Sequence, residues 1–260
     1  MKKIISIILI TVTLISLCGC SRGAPGNVVF SPDDLPGKKT GVLTDSTTDY
    51  FVAEFEKKGV SIRPYGDSRV ILNDVESGSL DCAIMDIELA EDELSVFSRA
   101  KILDTPAVEA DLSIITALES ASLLSVIDST LGELIDDGIV GKITNNYFGG
   151  REYIYSSPED IEYNGTLTLA VNAIGKPFAY YDETGALNGM DIDIARAVCD
   201  KMGVELKVVD ANGSDLYDYV RSGKADLAMG CLYKNKDTEE LVGFSQSYYT
   251  STQVIIVRKK

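Results

Sequence analysis

The stretch VESGSLDCA at residues 75–83 returns as VRSGKADLA at residues 220–228. Val, Ser, Gly, Asp and Ala keep their spacing in the two copies. Each copy has the pattern of a helix end, a glycine suited to the left-handed conformation after a helix, a short turn and a buried strand. The chain is therefore predicted to hold two α/β units of the same kind. Two such units that face each other form a cleft, which is a common place for a small-molecule site.

Predicted strands alternate with predicted helices around both copies of this repeat. A strand at residues 39–43 precedes a helix at 47–58, and a strand at residues 166–171 comes before a helix at 191–202. Short glycine-bearing turns between such elements favour parallel strands joined by right-handed crossovers. The predicted fold class is α/β, with two lobes that are each a mostly parallel sheet flanked by helices.

The first twenty residues form a segment of their own. Lys2 and Lys3 precede an apolar run at residues 4–17, and residues 17–20 read Leu-Cys-Gly-Cys. This pattern resembles a bacterial lipoprotein signal, in which the thiol of Cys20 takes the lipid. The alternative is a plain transmembrane anchor, but the run is shorter than the roughly 20 residues that span a bilayer. Residues 21–34 are then a tether between the membrane and an extracytoplasmic domain.

Composition and charge weigh against several function classes. The formal net charge is −16, which argues against a nucleic-acid partner because such partners need basic patches. The chain has no histidine, and this lowers the expectation of a hydrolase or a zinc site without excluding carboxylate chemistry. We expect no metal and no cofactor. With Cys20 lipidated, Cys82, Cys199 and Cys231 are an odd number of thiols, which is not a disulfide framework.

Longer motifs in both halves resemble one family of binding proteins. The second half carries, in order, residues 167–171, PFAY at 177–180, GALNGMDIDIA at 185–195 and GFSQSYY at 243–249. The first half carries LPGKKTGV at 35–42, then residues 78–86 and residues 137–149. From about residue 34 to residue 260 the chain resembles the extracellular solute-binding proteins of amino-acid ABC transporters. The resemblance implies a type II periplasmic-binding fold.

The two halves stand in the opposite order from that of the family, and each is present once. The simplest interpretation is a circularly permuted monomer. The alternatives are strand or lobe exchange between two copies and a truncated tandem. In the permuted reading residues 35–111 form lobe two, residues 112–150 and 163–260 form lobe one, and residues 151–162 are the linker. The lobes are expected to close around a ligand.

The resemblance also implies ligand-binding residues in lobe two. Asp86 matches the family's carboxylate for a ligand ammonium, and a carboxylate in a cleft is a sensible partner for a cation. Ser46 and Thr47 match the helix start that meets a ligand carboxylate. Asp45 replaces the family's glycine there and adds a negative charge. The alternatives are a solvated Asp86 that caps the next helix and ordinary capping by the hydroxyls.

The matching positions in lobe one depart from the family. Thr238 stands where the family has its carboxylate-binding arginine, and this argues against an ordinary α-amino acid ligand. The loop that contains Cys231 and Tyr233 replaces a Ser/Thr-rich loop, and Asn172 replaces an aspartate. Phe178 is either a stacking surface for the ligand or part of the core.

The resemblance implies a lipid-anchored receptor that passes a small polar ligand, amino-acid-like or an amine, to an ABC permease without catalysis. The alternative is a sensory or partner-binding module with the same fold. An enzyme of the dehydratase or wall-lytic type is a third possibility, because such proteins also use this fold, although no acid–base pair is recognisable in the chain.

Overall fold

A nine-stranded mixed sheet organises the part of the chain that the structure describes. The computed structural model describes residues 25–259, apart from residues 45, 151–152, 174 and 213–214. The predicted signal segment with Cys20, and Asp45, lie outside the described residues. No described helix has both the length and the apolar character needed to cross a membrane.

The strands and helices alternate along most of the chain. The strands are β1 (Lys39–Leu43), β2 (Ser61–Tyr65), β3 (Cys82–Asp86), β4 (Ala100–Ile102), β5 (Val108–Thr116), β6 (Thr166–Val171), β7 (Tyr180–Tyr181), β8 (Leu187–Asn188), β9 (Glu205–Asp210), β10 (Leu227–Ala228) and β11 (Gly243–Arg258). The α-helices are α1 (Val52–Lys57), α2 (Ser68–Ser77), α3 (Ile87–Leu94), α4 (Ala121–Asp136), α5 (Ile139–Asn145), α6 (Met190–Met202) and α7 (Leu216–Arg221). A 3₁₀-helix, Thr47–Phe51, leads directly into α1.

The sheet consists of two parallel parts joined by antiparallel strands. Its strand order is β2-β1-β3-β11-β5-β10-β6-β9, with β4 beside β11. We call β1, β2, β3 and their helices the first half, and β6, β9, β10 and theirs the second half. Strands within each half are parallel, whereas β5 and β11 pair antiparallel with each other and with their neighbours. This arrangement confirms the predicted two-lobed α/β fold.

Each half buries its own apolar side chains, and a larger core joins the two. The outer core of the first half lies under α2 and includes Ile71 and Val75. The outer core of the second half includes Leu216 and Val220 of α7. The largest cluster contains residues of both halves together with β5 and β11, so the halves contact each other through continuous apolar packing.

The sequence repeat has the same structural role in both halves. Gly78 and Gly223 each follow a helix with a positive φ, of 83° and 71°. The aspartate of each copy then accepts a hydrogen bond from a peptide N–H in the first part of a neighbouring parallel strand. Asp81 accepts from Lys39 N at 2.8 Å, and Asp226 accepts from Thr168 N at 2.7 Å. The repeated Asp therefore aligns two parallel strands in the same way twice.

The segment that precedes β1 packs against the fold. Val29 is fully buried in the large core. The buried guanidinium of Arg258, at the end of β11, donates hydrogen bonds to the carbonyls of Pro25, Gly26, Val75 and Leu80. The described start of the chain and the end of β11 are thereby held side by side.

A close backbone approach at Gly189 positions the start of α6. Gly189 has a φ of +147°, and a Cβ at this position would overlap the carbonyl oxygen of Phe178. The same approach lets Met190 N donate to Pro177 O at 2.8 Å and Asp191 N donate to Phe178 O at 3.1 Å. Only glycine meets both the steric and the conformational requirement here.

We predict that Gly189→Ala lowers the free energy of unfolding by about 3 kcal/mol or more, because the methyl group must displace the Phe178 peptide in a strained conformation. Thermal denaturation of the two proteins measures the difference. Gly141→Ala is the matched control, since Gly141 lies in α5 with open space around its Cα. Equal melting temperatures for wild type and Gly189→Ala would contradict the prediction.

Candidate functional site

Asp86 lies at the carboxyl end of β3, where the chain turns into α3. Its side chain is 5% exposed, and it caps α3 by accepting a hydrogen bond from Glu88 N at 3.2 Å. It also accepts from Thr47 Oγ1 at 3.2 Å and from Gln253 Nε2 at 3.3 Å. The carboxyl end of a strand in an α/β sheet is the usual edge for a ligand site.

The environment of Asp86 disfavours its charge. Burial raises the pKa of Asp86 to about 8, and the neighbouring Glu88 carboxylate adds to the rise. Among the described residues, no ion pair includes Asp86. A buried carboxylate without a cation is costly, so a positively charged group that bound here would favour ionisation.

Two threonine hydroxyls of the 3₁₀-helix Thr47–Phe51 contact Asp86 and the neighbouring Gln253. Ser46 caps the 3₁₀-helix: its Oγ accepts from Thr48 N at 3.3 Å and donates to Leu43 O at 2.6 Å. Thr47 donates to Asp86, whereas Thr48 Oγ1 donates to Gln253 Oε1 at 2.7 Å. The structure therefore brings Thr47 to Asp86 and places Ser46 at the end of β1.

The predicted residues of the second half lie around the ends of β6 and β10. Asn172 follows β6, and Cys231 is a buried residue with a φ of +55° in the loop after β10. Phe178 is 0% exposed. Its ring packs edge-on against Tyr50 of the first half, with 5.3 Å between ring centroids. Phe178 is therefore a core residue at the boundary between the halves.

Tyr233 links the two halves through a polar contact. Its hydroxyl donates to Glu54 Oε2 of α1 at 2.6 Å, and its ring centroid lies 6.1 Å from that of Phe51. Together with the Tyr50–Phe178 contact, this bond joins the halves on the side of the sheet where Asp86 lies. The structure thus places the predicted residues of both halves near one boundary.

Position 238 has a local structural role. Thr238 Oγ1 accepts a hydrogen bond from Asn235 N at 3.1 Å within a turn. The nearby Lys234 is largely exposed, and its Nζ lies 3.6 Å from Glu239. Neither side chain offers the planar, bidentate group that recognises a carboxylate. The described site is therefore acidic in character and suits a cation.

The sequence did not single out several residues that the structure brings to this boundary. Gln253 of β11 contacts both Thr48 and Asp86. Tyr248, also of β11, donates to Asp191 Oδ1 at 2.8 Å. Asp191 is 0% exposed, and burial raises its pKa to about 7. Asp191 could have been noticed in the sequence, because it is a charged residue on the apolar side of the predicted 191–202 helix.

Comparison with known proteins gives a family match in the second half of the chain. Residues 167–260 match the model of the bacterial extracellular solute-binding proteins, family 3. The arginine-binding extracellular protein ArtP of Bacillus subtilis is 30% identical over 93 residues, which are 36% of this chain and 36% of that protein. The lysine/arginine/ornithine-binding periplasmic protein of Escherichia coli is 28% identical over 143 residues, 51% of this chain and 54% of that protein.

The match also extends to part of an enzyme. The membrane-bound lytic murein transglycosylase F of Erwinia tasmaniensis is 32% identical over 91 residues, which are 35% of this chain and 18% of that protein. The chain thus spans about half or less of the length of the curated relatives it matches. The family match thus covers residues 167–260, which is less than half of this chain.

Proposed function

We propose that this protein is a lipid-anchored extracytoplasmic receptor that captures a small polar ligand, amino-acid-like or an amine, and delivers it to an ABC permease. The ligand lies between lobe two, residues 35–111, and lobe one, residues 112–150 and 163–260, with residues 151–162 as linker. The receptor is a circularly permuted monomer. The family match in residues 167–260 supports the class of function, because proteins that the chain partly matches are named as binding proteins for arginine or for lysine, arginine and ornithine.

One observation carries the choice of ligand. Asp86 is a buried carboxylate at the boundary between the halves, with a pKa raised to about 8 and no cation paired to it among the described residues. A ligand ammonium would supply the missing charge and form a charge-assisted hydrogen bond. Thr47 and Gln253 orient the carboxylate for that contact.

A sensory or partner-binding module is the second candidate, and Thr238 favours it. In this function the arginine that holds a transported amino acid is dispensable, and Thr238 instead stabilises a turn with Asn235. Permease and ATPase genes next to the gene for this chain would favour transport. The partial likeness to a transglycosylase covers 18% of that enzyme, so it supports no catalytic role. Incubating the pure protein with candidate substrates and measuring their conversion tests whether it is an enzyme.

The central experiment is a thermal-shift screen of the purified domain against amino acids, amines, short peptides and small organic acids. A receptor for small solutes is expected to gain several degrees with at least one compound, because ligand binding to the native state alone stabilises it. If no class of compound stabilises the protein and a tightly bound protein partner is recovered instead, the sensory or partner-binding function is favoured.

We predict that Asp86→Asn weakens the cationic ligand found in this screen by about ten- to hundredfold, the equivalent of about 1.5–3 kcal/mol for a charged hydrogen bond. Asparagine keeps the capping of α3, so folding should be retained. Calorimetric titration measures the affinity, and exposed Asp104→Asn serves as the control. An unchanged affinity would remove Asp86 from the site.

The raised pKa of Asp86 predicts a pH dependence of ligand affinity. Below about pH 8 the free carboxyl is largely protonated, whereas a cation binds the ionised form. Affinity should therefore rise as pH increases toward 8, by up to about tenfold per pH unit, and binding should release protons. Titrations in buffers of different ionisation enthalpy measure this release. Asp86→Asn should lose the part of this dependence that belongs to a pKa of about 8, and a wild-type profile without that part would contradict the assignment.

The proposed lipid anchor depends on Cys20. We predict that Cys20→Ala, in the full chain expressed in a bacterial host, moves the protein from the membrane fraction to the soluble fraction. Cys18→Ala is the matched control and should stay with the membrane. If Cys20→Ala remains membrane-bound to the same extent, the anchor is not a lipid on this residue.

A further inference from the structure

Two buried polar atoms of the described chain have no hydrogen-bond partner. They are the hydroxyl oxygen of Tyr50 and Oδ2 of Asp191. Tyr50 belongs to the 3₁₀-helix of the first half, whereas Asp191 is in the first turn of α6 in the second half. Buried polar atoms without partners are uncommon in folded proteins, and each calls for a physical explanation.

Both residues contact Phe178: the Tyr50 ring packs against its ring with 5.3 Å between centroids, and Asp191 N donates to its carbonyl oxygen at 3.1 Å. Thr47, three residues before Tyr50 in the same 3₁₀-helix, donates to Asp86. Burial raises the pKa of Tyr50, and the charge of Asp191 raises it further, followed by that of Cys231. Burial likewise raises the pKa of Cys231, with added contributions from Asp191 and then from Asp86. The Cys231 thiol therefore lies within the electrostatic influence of both carboxylates. Tyr50, Cys231, Asp86 and Asp191 surround the same boundary.

Asp191 lacks a positive partner in the described structure. Its side chain is 0% exposed, and the hydroxyl of Tyr248 satisfies only Oδ1. No ion pair among the described residues includes it. A fully buried carboxylate with one free oxygen is unfavourable unless a donor occupies the space beside that oxygen.

We propose that Asp191 Oδ2 and the Tyr50 hydroxyl form a second amine-binding subsite beside Asp86, and that the ligand is a diamine without a carboxylate. This inference rests on the proposed function as a solute receptor. One ammonium group binds Asp86, and the other donates hydrogen bonds to Asp191 Oδ2 and to the Tyr50 oxygen. An ammonium has three donors and no acceptor, which matches this set of oxygens.

The same atoms argue against a zwitterionic ligand. A ligand carboxylate would lie among Asp86, Asp191 and Glu88, and like charges repel strongly where water is excluded. Thr238 offers no positive charge, and Lys234 pairs with Glu239 at the surface. The alternative occupant is one water molecule, which can donate to Asp191 and accept from Tyr50.

The test titrates the full extracytoplasmic domain with putrescine, cadaverine, n-butylamine and L-ornithine. The diamines should bind at least about tenfold more tightly than n-butylamine, since only they reach both subsites, and more tightly than L-ornithine. Asp191→Asn should weaken a diamine by about ten- to hundredfold while changing n-butylamine little. Asp193→Asn, two residues along α6 and bonded to Tyr147 and Arg196, is the matched control.

Tyr50→Phe keeps the test decisive if Asp191→Asn fails to fold. Loss of an unpaired buried hydroxyl should raise the melting temperature of the ligand-free protein and reduce the shift that a diamine produces. If the wild-type protein binds diamines and neither variant changes the affinity, the second subsite is overturned, and a water molecule is then the occupant beside Asp191. Tight binding of L-ornithine or another amino acid, with no effect of diamines, would overturn this inference while the proposed receptor function stands. No solute binding at all would overturn both.

Discussion

The antiparallel pairing of β11 with β5 is the constraint on which the rest of the molecule depends. β11 is 16 residues long, which corresponds to about 50 Å of extended chain, and it reaches from one half of the sheet to the other. Its pairing with β5 continues from Gly243 to Gln253 and then gives way to pairing with β3 and β4. Because one strand runs through both halves, its backbone fixes where each half lies along the sheet.

This strand also connects the two buried carboxylates. Tyr248 holds Asp191 of the second half, and Gln253 holds Asp86 of the first. Register shifts on either side of Ser247 change the pleat of β11 just before Tyr248, as bulges commonly do where a side chain must be redirected. Both carboxylates are desolvated, and no cation pairs with either one in the part of the chain that the structure describes. Natural proteins accept such a cost to stability mainly at functional sites.

Local patterns predicted the elements of the fold well and the site only in part. β1 and β6 have the predicted bounds, because each begins just after a glycine with a positive φ, Gly37 or Gly165. The first five residues of β11, by contrast, are Gly, Phe, Ser, Gln and Ser, with little strand character, and they are ordered by pairing with β5. Asp86 could be named from its motif. Gln253 and Tyr248 could not, because their partners lie 167 and 57 positions away. Circular permutation, which we infer from the reversed order of the two halves, remains a prediction.

The clamp at Arg258 has a mechanical consequence. One guanidinium binds the carbonyls of Pro25 and Gly26 and, on its other side, those of Val75 and Leu80. Tension applied through residue 25 therefore loads the two bonds to Pro25 and Gly26 together, and the guanidinium passes it on to β11 and to the carbonyls of Val75 and Leu80. Only four residues separate Arg258 from Gln253 on the same strand, so the clamp and the polar boundary lie on one continuous stretch of β11. A displacement of residues 25 and 26 would therefore be transmitted along β11 to the contacts of Gln253 with Thr48 and Asp86.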